Sequence, residues 1–562
     1  MENFFKDKYP PGMPSEVDVK QYSSIVDMLE KSCKKFANHP AFSAIGVTIT
    51  YAELDKLSRD FASFLQNETN LKPGDRIAIQ MPNLVQYPVV VFGAMRAGLV
   101  VVNTNPLYTT REMEHQFNDS GAKALVVLAN MAHLAQEVLP NTGIETVIVT
   151  EIADMHKPVK RAIMNAAVKY IKKMVPAYSL PKAIPFTKAM QLGAKRNFTP
   201  VKIGLEDLAV LQYTGGTTGV AKGAMLSQQN LVANLLQVKP VLTATLEEGK
   251  EVCIAPLPLY HIYSFTVNCG VMVESGCHSI LIPNPRDIDG FIKELQKWKF
   301  SAFLGLNTLF VALCNRKDFQ ELDFSHLKMT VSGGMALTSE AARMWKKVTG
   351  CDISEGYGMT ETSPVVSVNP LGAIQVGTIG LPVPSTLVKV IDDEGNDLPV
   401  GEIGELCVKG PQVMQGYWQR PDETAKTMTP DGWIKTGDIA LIQEDGYIKI
   451  VDRKKDMILV SGFNVYPNEV EDVVTSHPDV LECAAIGVPD DKSGEVVKIF
   501  VIRRNPDLKE SDLRDFCKQR LTGYKMPKFI EFRDELPKTN VGKILRRELR
   551  DEELKKQKTN AA

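Results

Sequence analysis

The sequence predicts an α/β protein: a large N-terminal domain of α/β layers with a distorted β subdomain, followed by a small mobile C-terminal α+β domain. From Leu71 onward strand-like runs alternate with helical patterns, which predicts β–α–β units. At 405–449 the pattern changes to short alternating strands with tight glycine turns, typical of an antiparallel subdomain. A polar break at 452–456 precedes a tail with strand and helix signals of its own. We therefore expect domains at 1–453 and 454–562.

The elements of the large domain follow one rhythm. RIAIQM at 76–81 predicts a strand, and the charged run REMEHQFNDSG predicts a helix before the strand ALVVLA. The apolar window at 85–102 is interrupted by Pro88 and Arg96, whereas a membrane span needs about 20 mostly apolar residues. We expect a buried helix flanked by strands there. The alternation as a whole indicates a largely parallel sheet with helices on both faces.

Composition limits the classes of function. The 562 residues include 65 Lys and Arg against 67 Asp and Glu, a formal net charge of −2, which argues against nucleic acid as the main partner. The nine cysteines contain no C-x-x-C pair, so the sequence suggests neither a zinc site nor a disulfide framework. The first residues, MENFFKDKYP, show no secretory signal. These features predict a cytoplasmic protein.

A loop rich in glycine and threonine, YTGGTTGVAKG at 213–223, is the most informative segment. It follows the apolar run LAVLQ and precedes AML, so it should join two strands. Glycines let the backbone close around a ligand and expose N–H groups to phosphate oxygens, while threonine hydroxyls and Lys222 add donors and a cation. We interpret the loop as a triphosphate cradle, with a structural turn as the alternative. It is not a P-loop, because Lys222 lies between Ala221 and Gly223.

Three shorter motifs can complete a nucleotide site. YGMTE at 357–361 combines an aromatic ring that can stack on a purine, a hydroxyl, and the Glu361 carboxylate, which suits Mg²⁺. SGGMAL at 332–337 places a glycine pair after a strand-like run and can form the other wall of a flat base pocket. Asp438 in the TGD turn can accept two hydrogen bonds from ribose hydroxyls.

Taken in order, these motifs resemble those of the ANL superfamily of adenylate-forming enzymes. VDRKKD at 451–456 resembles the family's hinge, PKTNVGKILRREL at 537–549 its catalytic-lysine motif, and 431–455 the signature of long-chain fatty acyl-CoA synthetases. The resemblance implies activation of a fatty acid by ATP to acyl-AMP with release of pyrophosphate, then thioester formation with CoA and release of AMP. The implied ATP site consists of Tyr213, Thr214, Gly215, Gly216, Thr217, Thr218, Gly219, Gly333, Gly334, Tyr357, Gly358, Met359, Asp438 and Arg453.

The same resemblance implies catalytic roles. Lys222, Thr360, Glu361 and Lys543 would be the catalytic residues, with Lys543 placed between the carboxylate and the α-phosphate. Mg²⁺ is the implied cofactor, and its ligands would be Thr214 and Glu361. ATP and CoA are the implied co-substrates.

The resemblance also implies a moving small domain. Lys455 falls at the hinge position, about which the small domain would rotate between the two half-reactions. Ser461, Gly462 and Phe463 would then line the path of the CoA thiol.

The acid substrate can be judged from 256–273, PLPLYHIYSFTVNCGVMV. This segment has no acidic residue of the kind that adenylation domains use to hold an amino acid's ammonium group. Its apolar and aromatic side chains suit an alkyl chain, since each buried CH₂ contributes about 0.8 kcal/mol. A fatty acid is the expected substrate. By the resemblance, His261 would lie near the carboxylate and Phe265 at an aromatic gate, with a hydrogen-bonded core histidine as the alternative for His261.

The segment 158–176 belongs to none of these motifs. We predict a basic amphipathic helix there, either a surface helix packed on the core with solvated lysines or a helix that lies on the inner face of the cell membrane. The resemblance to bacterial members also implies a homodimer. On a helical wheel the apolar side carries Val159, Ile163, Ala166, Ala167, Tyr170 and Met174, and the opposite side carries Arg161, Lys169, Lys172 and Lys173.

Other functions are weighed against this prediction. A ligase that stops at acyl-AMP, or that uses a carrier-protein phosphopantetheine arm, would share the adenylation motifs, although the signature ending at Lys455 favours CoA. A noncatalytic nucleotide sensor is disfavoured by the complete set of motif residues. A kinase or P-loop ATPase is disfavoured by the failed P-loop match, and nothing indicates a luciferin pocket.

Overall fold

The computed structural model describes residues 4–214, 221–242, 244–490, 492–539 and 542–561. The described part has α/β layers built on sheets of seven, nine, four and five strands. Its helices are α1 (Ile25–Lys35), α2 (Tyr51–Glu68), α3 (Gln86–Arg96), α4 (Thr110–Ser120), α5 (Ala132–Val138), α6 (Pro158–Ala166), α7 (Phe186–Gly193), α8 (Gln228–Leu242), α9 (Ile262–Ser264), α10 (Met272–Glu274), α11 (Ile288–Leu295), α12 (Asn307–Cys314), α13 (Lys317–Gln320), α14 (Ser339–Thr349), α15 (Pro421–Thr427), α16 (Pro467–Thr475), α17 (Glu510–Lys518) and α18 (Arg546–Ala561).

The strands divide between the large and the small domain. Those of the large domain are β1 (Pro40–Ala44), β2 (Val47–Thr50), β3 (Arg76–Gln80), β4 (Val100–Asn103), β5 (Ala122–Leu128), β6 (Thr146–Thr150), β7 (Ile184–Pro185), β8 (Leu208–Thr214), β9 (Lys222–Ser227), β10 (Val252–Ala255), β11 (His278–Leu281), β12 (Ala302–Gly305), β13 (Met329–Ser332), β14 (Ile353–Gly358), β15 (Val365–Val368), β16 (Leu381–Pro382), β17 (Leu387–Ile391), β18 (Ile403–Lys409), β19 (Ile434–Ile442) and β20 (Ile448–Arg453). Those of the small domain are β21 (Ile458–Val460), β22 (Phe463–Val465), β23 (Val480–Asp490), β24 (Gly494–Arg503) and β25 (Phe529–Phe532).

The seven-stranded sheet confirms the predicted β–α–β rhythm. Its order is β7-β6-β5-β3-β4-β8-β9, and every neighbouring pair is parallel except β8 with β9. β8 ends at Thr214 and β9 begins at Lys222, so the glycine- and threonine-rich loop joins two strands, as predicted. The predicted ATP-site residues Gly215, Gly216, Thr217, Thr218 and Gly219 lie outside the described residues.

The nine-stranded sheet carries the other nucleotide motifs. Its order is β16-β15-β14-β13-β12-β10-β11-β1-β2, and β12, β13 and β14 are parallel. Gly333 directly follows β13, and Tyr357 lies near the end of β14. Because parallel strands end at the same edge of a sheet, the two motifs meet there, which is where ligands bind in open α/β sheets.

The apolar window at 85–102 forms helix α3 and strand β4, and every residue of α3 is buried. A Cβ on Gly93 would lie 2.8 Å from the Phe61 ring, so only glycine lets α3 pack this closely on α2. Arg96, the charge that interrupts the window, is buried but paired with Glu30 and Asp55, each at 2.5 Å. The window is therefore a core helix, as predicted.

The β subdomain and the small domain also agree with expectation. Strands β17 to β20 form an antiparallel sheet in chain order. The small domain has a five-stranded sheet, with β23 and β24 antiparallel, and a separate apolar core. That core includes Val465, Val470, Ile499, Leu513 and Cys517.

The segment 158–176 differs from the predicted helix in length. Helix α6 continues as a π-helical turn over Ala167–Ile171 and then ends, and Lys173 has a positive φ of 53°. The positive φ of Lys173 ends the helical path, and the buried Asn165 of α6 donates hydrogen bonds to Glu151 and Asp154, which holds the helix on the protein. No helix within the described ranges is long and apolar enough to cross a membrane.

Candidate active site

The glycines of the two motifs after β13 and β14 are required by close packing. A Cβ on Gly358 would lie 1.9 Å from the Pro364 carbonyl oxygen, a contact that no side chain can make. A Cβ on Gly333 would lie 3.2 Å from the Tyr263 ring, and Gly334 has a positive φ of 83°. The backbone at these glycines therefore packs against Tyr263 and Pro364 more closely than a residue with a side chain allows.

Tyr357 and Asp438 are joined across the site. The Tyr357 hydroxyl donates to the Asp438 carboxylate at 2.5 Å, and burial raises the pKa of Tyr357 well above its usual value. The Arg453 guanidinium lies 3.4 Å from the same carboxylate, because Asp438 and Arg453 are partners on β19 and β20. The structure thus brings three predicted ATP-site residues into direct contact.

Glu361 lies beyond this contact in the short helical turn Thr360–Thr362, which follows Met359. It is buried, and burial raises its pKa. One carboxylate oxygen accepts a hydrogen bond of 2.6 Å from the Tyr417 hydroxyl. A buried carboxylate beside a phosphate-type loop fits Mg²⁺, which is usually held by one or two carboxylates together with substrate phosphates.

Lys222 is the first residue of β9 and lies next to Tyr417, the residue that contacts Glu361. Its ammonium group lies 2.7 Å from Glu423 and 4.6 Å from the centre of the Tyr417 ring. The hydrogen bond from Lys222 lowers the pKa of Glu423 to about 2. Sequence reasoning missed Tyr417 and Glu423, although the charged start of helix α15, RPDET, could have drawn notice as a helix N-terminus rich in acids.

Tyr213 and Thr214 end strand β8. The Tyr213 hydroxyl donates to Asp119 at 2.7 Å, and Arg420 contacts the same carboxylate at 2.7 Å. Tyr213 is buried and its hydroxyl is used in this contact. Its position anchors the base of the loop to α4, whereas Thr214 is half-buried at the loop itself.

Lys543 reaches the site from the small domain. Its turn is closed by a hydrogen bond of 2.7 Å from the Thr539 amide to the Lys543 carbonyl. A Cβ on Gly542 would lie 2.8 Å from the Thr308 hydroxyl, so the turn is packed against the large domain. Burial and the nearby Arg453 lower the pKa of Lys543 to about 7.

His261 and Phe265 lie on the acyl side of the site. Burial, together with the charge of Lys543, lowers the pKa of His261 to about 4, so the ring is neutral. Its Nδ1 accepts from the Tyr263 amide at 3.3 Å. Phe265 is buried at the start of the π-helical turn Phe265–Val271, among apolar neighbours. The neutral His261 ring and the Lys543 amine therefore form the polar end of a region that is otherwise largely apolar.

The hinge residue lies near this site, and the thiol-path residues lie on an exposed turn. Lys455 is exposed overall, and partial desolvation together with the charge of Arg453 lowers its pKa. Ser461 and Gly462 form the turn between β21 and β22, both with positive φ. The exposed Phe463 stacks on Tyr524 of the same domain at 4.9 Å between ring centres.

The fold and the nucleotide-type site define an adenylate-forming enzyme. The profile of the AMP-binding enzyme family matches residues 29–418, and that of the AMP-binding enzyme C-terminal domain matches residues 469–543. The chain belongs to the AMP-binding enzyme family.

Individual relatives narrow this class. The chain is 54% identical to a long-chain-fatty-acid–CoA ligase of Escherichia coli O6:H1 over 98% of each chain. Among solved structures, the anthranilate CoA ligase AuaEII in complex with anthranoyl-AMP has a TM-score of 0.86 and 26% identity, covering 97% of this chain and all of that one. ATP-bound MatB from Rhodopseudomonas palustris has a TM-score of 0.81 and 29% identity, covering 94% and 98%.

Proposed function

We propose that this protein is a long-chain fatty acid–CoA ligase. It activates a fatty acid with ATP to acyl-AMP, releases pyrophosphate, and transfers the acyl group to CoA with release of AMP. The observation that carries the proposal is the packing of the Lys543 turn on the large domain, where a Cβ on Gly542 would lie 2.8 Å from the Thr308 hydroxyl. There the charge of Lys543 acts on His261, and the charges of Arg453 and Asp438 act on Lys543. The full-length relatives named long-chain-fatty-acid–CoA ligase supply the substrate class.

The first half-reaction needs positive charge where two anions meet. A carboxylate oxygen attacks the α-phosphorus of ATP, a P–O bond forms, and the bond to pyrophosphate breaks. Lys543 would approach the carboxylate and the α-phosphate, while Lys222 would lie at the β- and γ-phosphates. Mg²⁺ held by Glu361 and Thr214 would neutralise phosphate charge when bound. Thr360 and the loop at 215–219 would fix the orientation of the phosphates.

The adenosine would be bound by the residues at the two strand ends. Asp438 can accept hydrogen bonds from the ribose hydroxyls, and Arg453 holds its carboxylate in place. The Tyr357 ring and the backbone at Gly333, Gly334, Gly358 and Met359 would enclose the base.

The second half-reaction requires a different small domain position. The CoA thiolate attacks the acyl carbonyl carbon and AMP leaves, but the turn of Lys543 is packed against the large domain beside the site. We propose that the small domain, 454–562, rotates about Lys455 and brings Ser461, Gly462 and Phe463 toward the thiol path. The exposure of this hairpin in the present position supports the proposal.

The acyl chain would occupy the apolar region next to His261. Phe265, Val267 and Val271 on the π-helical turn are buried and apolar, which suits an alkyl chain. His261 would face the carboxylate end, where its neutral ring can donate or accept a hydrogen bond.

Product analysis tests the proposal directly. The protein is incubated with Mg²⁺, ATP and fatty acids of graded length, with and without CoA or a carrier-protein phosphopantetheine arm. We expect AMP, pyrophosphate and a CoA thioester, strongest with long chains. ADP as the product, or no turnover with any fatty acid, would contradict the proposal, and a preference for the carrier arm would change the acceptor.

We further propose a cytoplasmic location with peripheral contact to an anionic bilayer through 158–176. Apolar residues of this segment face solvent: Val159 is 75% exposed, Ile163 65% and Ile171 80%. Asn165 is buried and donates hydrogen bonds to Glu151 and Asp154, whereas Lys169, Lys172 and Lys173 are exposed as well. An apolar stripe flanked by lysines matches the charge and polarity of an anionic membrane surface.

Flotation with vesicles tests this contact. We expect wild-type protein to float with anionic vesicles and less with neutral ones, and the double variant Ile163→Ser/Ile171→Ser to remain unbound. Leu107→Ser, which changes another exposed apolar residue, is the matched control. Equal flotation of all three proteins would contradict the contact. The homodimer implied by the resemblance stays a prediction, which light scattering of the purified protein checks.

A further inference from the structure

The segment after β18 lies along strand β9 as an added edge. The Met225 amide donates to the Gly416 carbonyl at 2.9 Å, and the Gln415 amide donates to the Met225 carbonyl at 3.0 Å. The Trp418 amide donates to the Gly223 carbonyl at 2.8 Å. This pairing places Tyr417 opposite Ala224, near the start of β9, where Lys222 lies.

Tyr417 touches both charged groups that face the loop. It is only 6% exposed, and its hydroxyl donates to Glu361 at 2.6 Å. The ammonium group of Lys222 lies over the face of its ring at 4.6 Å, a cation–π distance. One rigid side chain therefore fixes the spacing between a cation and a carboxylate.

Glu423 forms an ion pair with Lys222, the same lysine that lies over the Tyr417 ring. It lies 2.7 Å from Lys222 and belongs to helix α15, which begins at Pro421 directly after this segment. A partly exposed ion pair of this kind is readily broken by a stronger anion, because water screens much of its attraction. A triphosphate carries more charge than one carboxylate and can draw the lysine away.

We propose that Tyr417 and Glu423 are positioning residues for the triphosphate. Tyr417 holds the Glu361 carboxylate in the orientation that receives the metal ion, and Glu423 holds Lys222 aside until phosphate oxygens replace it. The inference rests on the proposed ATP site, and neither side chain is assigned contact with the reacting atoms.

Two conservative variants separate the two roles. Tyr417→Phe keeps the ring under Lys222 but removes the bond to Glu361. Glu423→Gln keeps the shape of the side chain but removes its charge. Tyr447→Phe is the matched control, because the Tyr447 hydroxyl donates to the Ala373 carbonyl at another place in the fold.

The measurement is binding of a fluorescent ATP analogue, titrated with Mn²⁺ and without metal. For Tyr417→Phe we expect metal-free binding to be unchanged and the gain in affinity on adding Mn²⁺ to be about tenfold smaller. Mutation of a residue that hydrogen-bonds to a metal ligand typically changes metal affinity by about 10–100-fold. For Glu423→Gln we expect several-fold tighter metal-free binding, about the size of one exposed ion pair, and an unchanged metal dependence. Tyr447→Phe should match wild type in both.

Unchanged metal dependence in Tyr417→Phe, or unchanged or weaker metal-free binding in Glu423→Gln, overturns the role of that residue. Thermal melts of all variants guard against misfolding, and a Tyr417→Phe protein that melts well below wild type overturns the positioning role of Tyr417 in favour of a structural one. Product analysis of wild type is run in parallel. If wild type forms AMP while these shifts are absent, only this inference fails, whereas loss of AMP formation would remove the proposed function itself.

Discussion

The Tyr357 hydroxyl and the Asp438 carboxylate meet at 2.5 Å although 81 positions separate them in sequence. This bond joins the end of the nine-stranded sheet to the β subdomain at the proposed ribose site. Arg453 holds the same carboxylate from the neighbouring strand. The carboxylate is therefore oriented before any ligand arrives, which lowers the cost of binding.

Asp438→Asn should raise KM for ATP by about tenfold or more, because it weakens hydrogen bonds that a charged acceptor makes. Tyr357→Phe should have a smaller effect, since it removes only the supporting bond and keeps the ring. Steady-state kinetics of pyrophosphate release at varied ATP checks both variants. A larger effect for Tyr357→Phe than for Asp438→Asn would contradict the ribose role of Asp438.

Lys543→Ala should abolish fatty acid-dependent pyrophosphate release and leave thioester formation from supplied acyl-AMP largely intact. The reason is the proposed role of Lys543, which would contact the α-phosphate only in the first half-reaction. Lys538→Ala is the matched control, because Lys538 lies in the same motif but pairs with Glu482 at 2.6 Å. Separate assays of the two half-reactions decide the matter, and equal loss of both would refute the assignment.

The lowered pKa of Lys543 predicts a pH effect on ligand binding. With a pKa of about 7 in the free protein, the group is mostly neutral at pH 8 to 9. Phosphate anions favour the ammonium form, so binding raises the pKa and takes up a proton. ATP affinity should therefore fall as pH rises from 7 to 9, and calorimetry in buffers of different ionisation enthalpy should show proton uptake. Lys543→Ala should lose this uptake, and persistence of the effect would assign it to another group.

Lys455→Pro should slow thioester formation more than adenylation. Proline fixes φ at the proposed hinge, so rotation is restricted while the present position is kept. Single-turnover measurement of both half-reactions gives the ratio. Lys455→Ala is the matched control, because it removes the same side chain without fixing φ. Equal slowing of both steps by Lys455→Pro would argue against the hinge.

Arg96→Ala should lower the free energy of unfolding by about 3 kcal/mol, because it removes a buried guanidinium that binds two carboxylates. Arg59→Ala is the comparison: Arg59 contacts the same Glu30 and Asp55 but is 40% exposed, so its loss should cost about 0.5 kcal/mol. Urea denaturation followed by fluorescence measures both. Similar losses for the two variants would show that burial of Arg96 adds nothing.

The local features of this protein could be predicted from its sequence. The β–α–β rhythm, the buried helix α3, the loop between β8 and β9, and the antiparallel subdomain depend on patterns within a few residues. Hydrophobic periodicity and glycine-rich turns are local signals, so they can be recognised without knowledge of the fold. The order of the six motifs further identified the family.

Contacts across the fold were decided only by the tertiary structure. Glu423 lies 201 positions after Lys222 in sequence, and Tyr417 lies only a few positions before Glu423. No local pattern links either residue to Lys222. The burial of Asn165 in α6 likewise follows from its hydrogen bonds to Glu151 and Asp154, not from the periodicity of the helix itself. The whole core decides which elements pack together. Two side chains that are distant in sequence meet only after the chain between them has closed into a loop and both elements are buried. The sequence thus determined the elements and the motifs, and the tertiary structure decided which charged groups share one site.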